Sequence, residues 1–184
     1  MRNVLYCVFV CAMVWVISPA LVASNPTSSG AMTVTATVDP SISLTFGSDA
    51  SGLALSSGSG TNTATLALGH VAAYGYTPPA GVTQSVNGSG ASATAFSVAT
   101  PVDVLVMVAN SASSNYTLTA ELNAVDTVNT WNIDSIAVTG SAAAVVTATG
   151  AYSTAVAHTV QISVPFTNTS GSISNVVNFV ATAN

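Results

Sequence analysis

Lysine is missing from all 184 residues, and the single arginine is Arg2. Nucleic-acid binding relies on Lys and Arg to neutralise phosphates, so this chain lacks the means for it. Attraction to anionic lipid fails for the same reason. A Lys–Asn isopeptide crosslink is impossible. Cysteine is confined to Cys7 and Cys11, and no G-x-S-x-G nucleophile elbow occurs. Only 4% of residues are charged, yet 49% are hydrophobic, far above what a disordered chain carries. Beyond the first residues no helical 3.6-residue period appears.

The N-terminal stretch has the layout of a secretory signal peptide. Arg2 gives a positive start, Val4 to Ile17 is nearly all apolar, and small residues follow Pro19 at Ala20, Ala23 and Ser24. That run is shorter than the roughly 20 residues a membrane span needs. The expected organisation is a signal peptide over 1–24, a flexible leader over 25–31 and one β-sandwich domain over 32–184. Cleavage after Ser24 would leave 160 residues with neither cysteine and no stable membrane span. The destination is extracellular or the cell surface, by way of a periplasm if the source is Gram-negative.

Alternation dominates what remains. Met32, Val34, Ala36 and Val38 share one face, with Thr33, Thr35 and Thr37 on the other. Strands are expected around Ile42–Phe46, Ala64–Leu68, Ala93–Val98, Val102–Val108, Tyr116–Leu122, Trp131–Ile133, Ile136–Val138, Val145–Val146, Val156–Phe166 and Ile173–Ala183. Gly-, Ser- and Asn-rich turns separate them. Pro78-Pro79 keeps residues 75–81 out of any central strand. About ten short strands with such turns predict an all-β, antiparallel sandwich of immunoglobulin-like or pilin-like type. A closed barrel is the alternative.

Chemistry-bearing clusters are sparse. His70 and His158 are the only candidate bases; His70 lies near a strand end, and His158 falls on an apolar strand face. Two histidines without cysteine do not complete a usual zinc set, and the acids lack calcium-loop spacing. Asp103 and Glu121 lie in successive strands, as paired carboxylates for glycoside hydrolysis would. No catalytic, cofactor or metal residue is expected. Tyr74, Tyr76 and Trp131 are the candidate aromatic platforms for a sugar, although Trp131 alternates with Ile133 and also reads as core. These aromatics support the alternative function, a monomeric carbohydrate-binding or adhesin module.

Three stretches together resemble the spore coat protein U family of secreted, pilin-like domains. They are Thr33–Val38 with Leu44-Thr45-Phe46-Gly47, Val104–Val108 with Tyr116-Thr117-Leu118-Thr119, and Gly150-Ala151-Tyr152 leading into Thr159–Val164. The resemblance implies a structural subunit of a pilus, fibre or coat, assembling by β-strand addition with copies of itself or related subunits. A periplasmic chaperone and an usher are the further partners it implies. Family members carry a disulfide joining the first strand region to the middle one; Ser41 and Ala109 stand near those two positions. The chain also continues 18 residues beyond Phe166. The added strand either completes its own fold or is donated to a neighbour. The residues expected to take part in strand exchange are Val177, Phe179 and Ala181 at this end, and Met32 and Val34 at the other.

Overall fold

A computed structural model describes residues 28–168 and 171–184. The expected signal peptide, both cysteines and the first leader residues lie outside that range. Among the described residues nine strands form: β1 (Ser41–Ser48), β2 (Thr83–Asn87), β3 (Ala95–Ala109), β4 (Tyr116–Leu122), β5 (Thr130–Ile133), β6 (Ile136–Val138), β7 (Ala144–Gly150), β8 (Ala155–Pro165) and β9 (Val177–Ala183). They make two antiparallel sheets. One runs β1-β3-β8-β5-β6, with β2 also paired to β3; the other runs β7-β4-β9. The expected all-β sandwich is therefore the fold. It occupies Thr37–Asn184 as one compact unit.

The period of two decides what is buried. Phe96, Val98, Thr100, Val102, Val104 and Val106 of β3 point inward, as do Tyr116, Leu118, Ala120 and Leu122 of β4. Fully burying one such aliphatic side chain contributes about 1.5–3 kcal/mol. The core lies between these two strands, with Trp131, Ile133, Ile162 and Val164 extending it under the larger sheet.

The sequence predicts two strands at 93–98 and 102–108, but β3 runs unbroken through Pro101. Proline has no N–H to give a ladder. On one flank Pro101 opposes Thr159 of β8. On the other flank, β2 pairing ends at Ala99 and β1 pairing begins at Val102, so no strand is paired there.

Two expected strands are absent. Ala64–Leu68 makes only the isolated bridge Ser57↔Thr65, within a long loop between β1 and β2. That loop is fixed by its backbone: the Leu53 N–H donates to buried Thr100 Oγ1 at 2.7 Å. Met32–Val38 is also not a strand, and residues 28–40 are all exposed. Alternation alone does not stabilise a strand that has no neighbour to pair with. The last strand is shorter than expected, starting at Val177 rather than Ile173.

Gly150, the last residue of β7, sits opposite Tyr116. A Cβ there would lie 2.2 Å from Tyr116 Cζ. Tyr116 is fully buried and packs on Tyr152 with ring centroids 5.5 Å apart, so the ring cannot simply swing away. Gly150→Ala is expected to cost about 1–3 kcal/mol through overpacking. Urea unfolding would show a lower midpoint, whereas Gly30→Ala, with nothing within 4 Å, would leave it unchanged.

Candidate assembly cleft

β9 is bonded along one edge only. It pairs with β4 from Leu122↔Val177 to Tyr116↔Ala183, and among the described residues no strand is hydrogen-bonded to its other edge. A free edge presents a row of N–H and C=O groups ready to take up another strand. Val177, Phe179 and Ala181 face inward but are only half-buried, since no strand is bonded along that edge. Phe179, one of the residues expected to exchange, is thus only partly buried. Its ring meets Phe46 of β1 edge-on, centroids 5.5 Å apart at 67°.

Beside this edge a cleft of about 1180 Å³ opens between the sheets. Its floor is apolar, with Val98, Val104, Trp131 and Ile162 among its residues, and loop residues 62–71 and 171–176 form part of its rim. A second hollow of about 540 Å³ continues past Phe179 along Ile42–Thr45 of β1. The Phe46–Phe179 contact between β1 and β9 lies where the two hollows meet. Met32 and Val34, the other residues expected to exchange, are 87% and 81% exposed and lie in no strand.

One polar group is buried in the cleft wall. His158 of β8 is 2% exposed, and its Nδ1 lies 2.6 Å from Asp134 Oδ2. Asp134 and Ser135 have φ of 51° and 69°, which close a tight two-residue hairpin between β5 and β6. That turn aims the carboxylate at β8, where Oδ1 also accepts the Thr159 N–H at 2.7 Å. A carboxylate only accepts, so Nδ1 carries the ring proton. Nε2 is buried and has no partner. The pair was not anticipated from the sequence; Asp134-Ser135 between Ile133 and Ile136 was the available turn signal.

The remaining candidates separate. Trp131 is buried, and its Nε1 donates to Asp126 Oδ2 at 2.8 Å, so the indole offers no face to a sugar. Tyr74 and Tyr76 are exposed at 70% and 44%. Tyr74 leans on Phe166, centroids 6.4 Å apart, and Phe166 stacks on Phe96; the sequence reading overlooked Phe166. His70 is exposed on the cleft rim. Asp103 and Glu121 do not face each other, since β3 and β4 belong to different sheets and both side chains alternate with buried neighbours. Burial first, and then the charge of Asp49, raise the Asp103 pKa. Among the described residues no three His, Cys, Asp or Glu side chains come together as a metal set.

Asp126 organises the turn before β5. Oδ1 accepts the N–H groups of Val128 and Asn129, while Oδ2 accepts Asn129 Nδ2 and Trp131 Nε1. Burial opposes the charge, but these donors, Trp131 foremost, outweigh it and lower the pKa from 3.8 to about 2. A depressed carboxylate stabilises the fold above its unfolded value. This contribution should be complete above pH 3.8 and fade as pH falls toward about 2. Asp126→Ala should cost about 1.5–3 kcal/mol at pH 7 and flatten the acid limb of a stability profile.

Comparison with protein-family models, curated proteins and solved structures found no match for this chain.

Proposed function

We propose that the chain is an extracellular structural subunit of a pilus, fibre or coat, built by β-strand addition between copies. The open edge of β9 above an apolar cleft is the observation that carries this reading. Residues 32–38 supply a matching occupant: seven residues, equal in number to β9, with Met32, Val34, Ala36 and Val38 on one face. Their side chains stand exposed on a segment with no strand of its own. Inserted in the cleft, that face would cover Phe179 and the floor, leaving Thr33, Thr35 and Thr37 to solvent. β9 itself is paired within its own chain, which favours it as acceptor rather than donor.

The same reading draws on the resemblance to spore coat protein U domains. Ser41 and Ala109, near the positions of that family's cysteines, are direct cross-strand partners in β1 and β3. Secretion, through the segment 1–24, and escort by a chaperone and usher belong to the same reading. Electron microscopy and sedimentation of the secreted chain test it. Fibres or concentration-dependent oligomers are expected; a strict monomer at high concentration, alone and with secretion partners, would contradict it.

One observation favours a second reading, a carbohydrate-binding module. Tyr74 and Phe166 place two exposed rings side by side. Glycan-array binding that disappears in Tyr74→Ala would support it.

A further inference from the structure

Strand addition can close within one chain or run between chains, giving a sealed monomer or a fibre. Resting on the strand-addition reading, we infer that Asp39-Pro40-Ser41 bars the arm 32–38 from the cleft of its own chain, so that each cleft takes the arm of a second copy.

The free edge nearest to the arm in sequence is that of β1, which begins at Ser41. One flank of β1 is bonded to β3. On the other flank the Phe46 N–H donates to the Thr61 carbonyl at 2.8 Å, and the Phe46 carbonyl accepts the Gly60 N–H at 2.7 Å. In an antiparallel strand every second residue points its backbone groups the same way, so Leu44 and Ile42 also address this free flank. Leu44 and Phe46 are likewise the side chains of β1 that pack on the core. An arm pairing here with Met32, Val34, Ala36 and Val38 inward must set even-numbered residues opposite even-numbered ones. A shift of one residue turns Thr33, Thr35 and Thr37 inward instead.

The tightest closure of that parity pairs Val38 with Ile42 across a three-residue loop, Asp39-Pro40-Ser41. Such loops are a type I turn followed by a residue in the left-handed region. The first position needs a helical backbone, which is disfavoured before a proline, and Asp39 precedes Pro40. The third needs the positive φ that glycine supplies; Ser41 stands there and is already paired with Ala109. The next closure, Ala36 with Ile42, spends Val38 in a five-residue loop. It leaves only Val34 opposite Leu44 before Thr61 blocks the edge at Phe46. The edge of β9 is no easier to reach. Residues 110–115 join Ala109 to Tyr116, and Tyr116 pairs with Ala183, so β1 starts at the end of the sandwich where β9 finishes. To run along β9 the arm would have to reverse and cross between sheets, which stack about 10 Å apart. The three steps from Val38 to Ser41 reach roughly 10–11 Å when fully extended, which leaves nothing for the reversal. An arm arriving from a second copy carries no such tether.

Backbone hydrogen exchange against concentration is the test. Where the secreted chain sediments as a monomer, the Ile42 and Leu44 amides and the free-edge amides of β9 should exchange as fast as in the Val34→Asp chain, whose arm is disabled by a charge on its apolar face. On assembly the free-edge amides of β9 should slow by at least about tenfold. Pro40→Asp together with Ser41→Gly frees the first loop position and gives the third a glycine. That variant should stay monomeric at every concentration, with Ile42 and Leu44 slowed even when dilute. Slow exchange at these amides in the dilute wild-type monomer, or a variant that still assembles with Ile42 and Leu44 fast, would overturn this inference and leave strand addition standing. The wild-type dilution series decides even if the variant fails to fold. Free-edge β9 amides that stay fast in the assembled chain, or a chain that never assembles, would overturn strand addition and this inference with it.

Discussion

A chain ending at residue 171 is expected not to fold. The deletion removes β9 and with it every pairing from Leu122↔Val177 to Tyr116↔Ala183. The smaller sheet would be reduced to the ribbon β4–β7, whose register is already irregular between Tyr116 and Thr119. A lone two-stranded ribbon is at best marginal in water. Leu118, Ala120 and Leu122, each at most 3% exposed, would lose their neighbours along one side, and Phe46 would lose Phe179. Domains of this size are stable by about 5–15 kcal/mol, and the loss of a whole strand consumes that margin. Circular dichroism should show no cooperative melting transition. Phe179→Ala is a graded version of the same test. Its ring is half-buried, so the cost should fall below the roughly 3–5 kcal/mol of a full core phenylalanine. A truncated chain that melts cooperatively would mean β9 contributes little to the fold.

The second large effect is on assembly without any effect on the fold. Val34→Asp together with Ala36→Asp places two carboxylates on the face proposed to enter the cleft. Both positions are exposed and lie outside any strand, so the melting temperature should not move. Burying even one unpaired carboxylate against Val98, Val104 and Phe179 would be prohibitive. Oligomers seen by sedimentation should disappear, and the variant should still accept a wild-type 28–40 peptide. Charges at Thr33 and Thr35, on the opposite face, should be tolerated. Equal loss from both faces would argue against a register in which one side is buried.

What the sequence made legible follows from local periodicity. The inward faces of β3, β4 and β8 could be read because apolar residues recur every second position under a buried face. The core position of Trp131 was readable from its alternation with Ile133. The continuity of β3 through Pro101 was not, since it depends on where β1 and β2 happen to end on its flank. Ala64–Leu68 and Met32–Val38 have the same alternation as true strands, yet a strand exists only if a partner edge is within reach. The His158–Asp134 pair joins residues 24 apart through a hairpin, so spacing gave no hint of it. Phe166 sits at the end of a regular face, and only the fold of the 49–82 loop brings Tyr74 onto it. The cleft itself is a property of two sheets together and leaves no mark in any one segment.

The most direct test is hydrogen exchange of the β9 backbone. The amides of β9 that face away from β4 have no strand partner and should exchange rapidly in the Val34→Asp chain. Adding the 28–40 peptide should slow those amides in an alternating pattern along Val177–Ala183, while the amides already bonded to β4 change little. If the peptide binds and leaves the β9 edge exchanging as fast as before, or if it does not bind, assembly by strand addition at this cleft is contradicted.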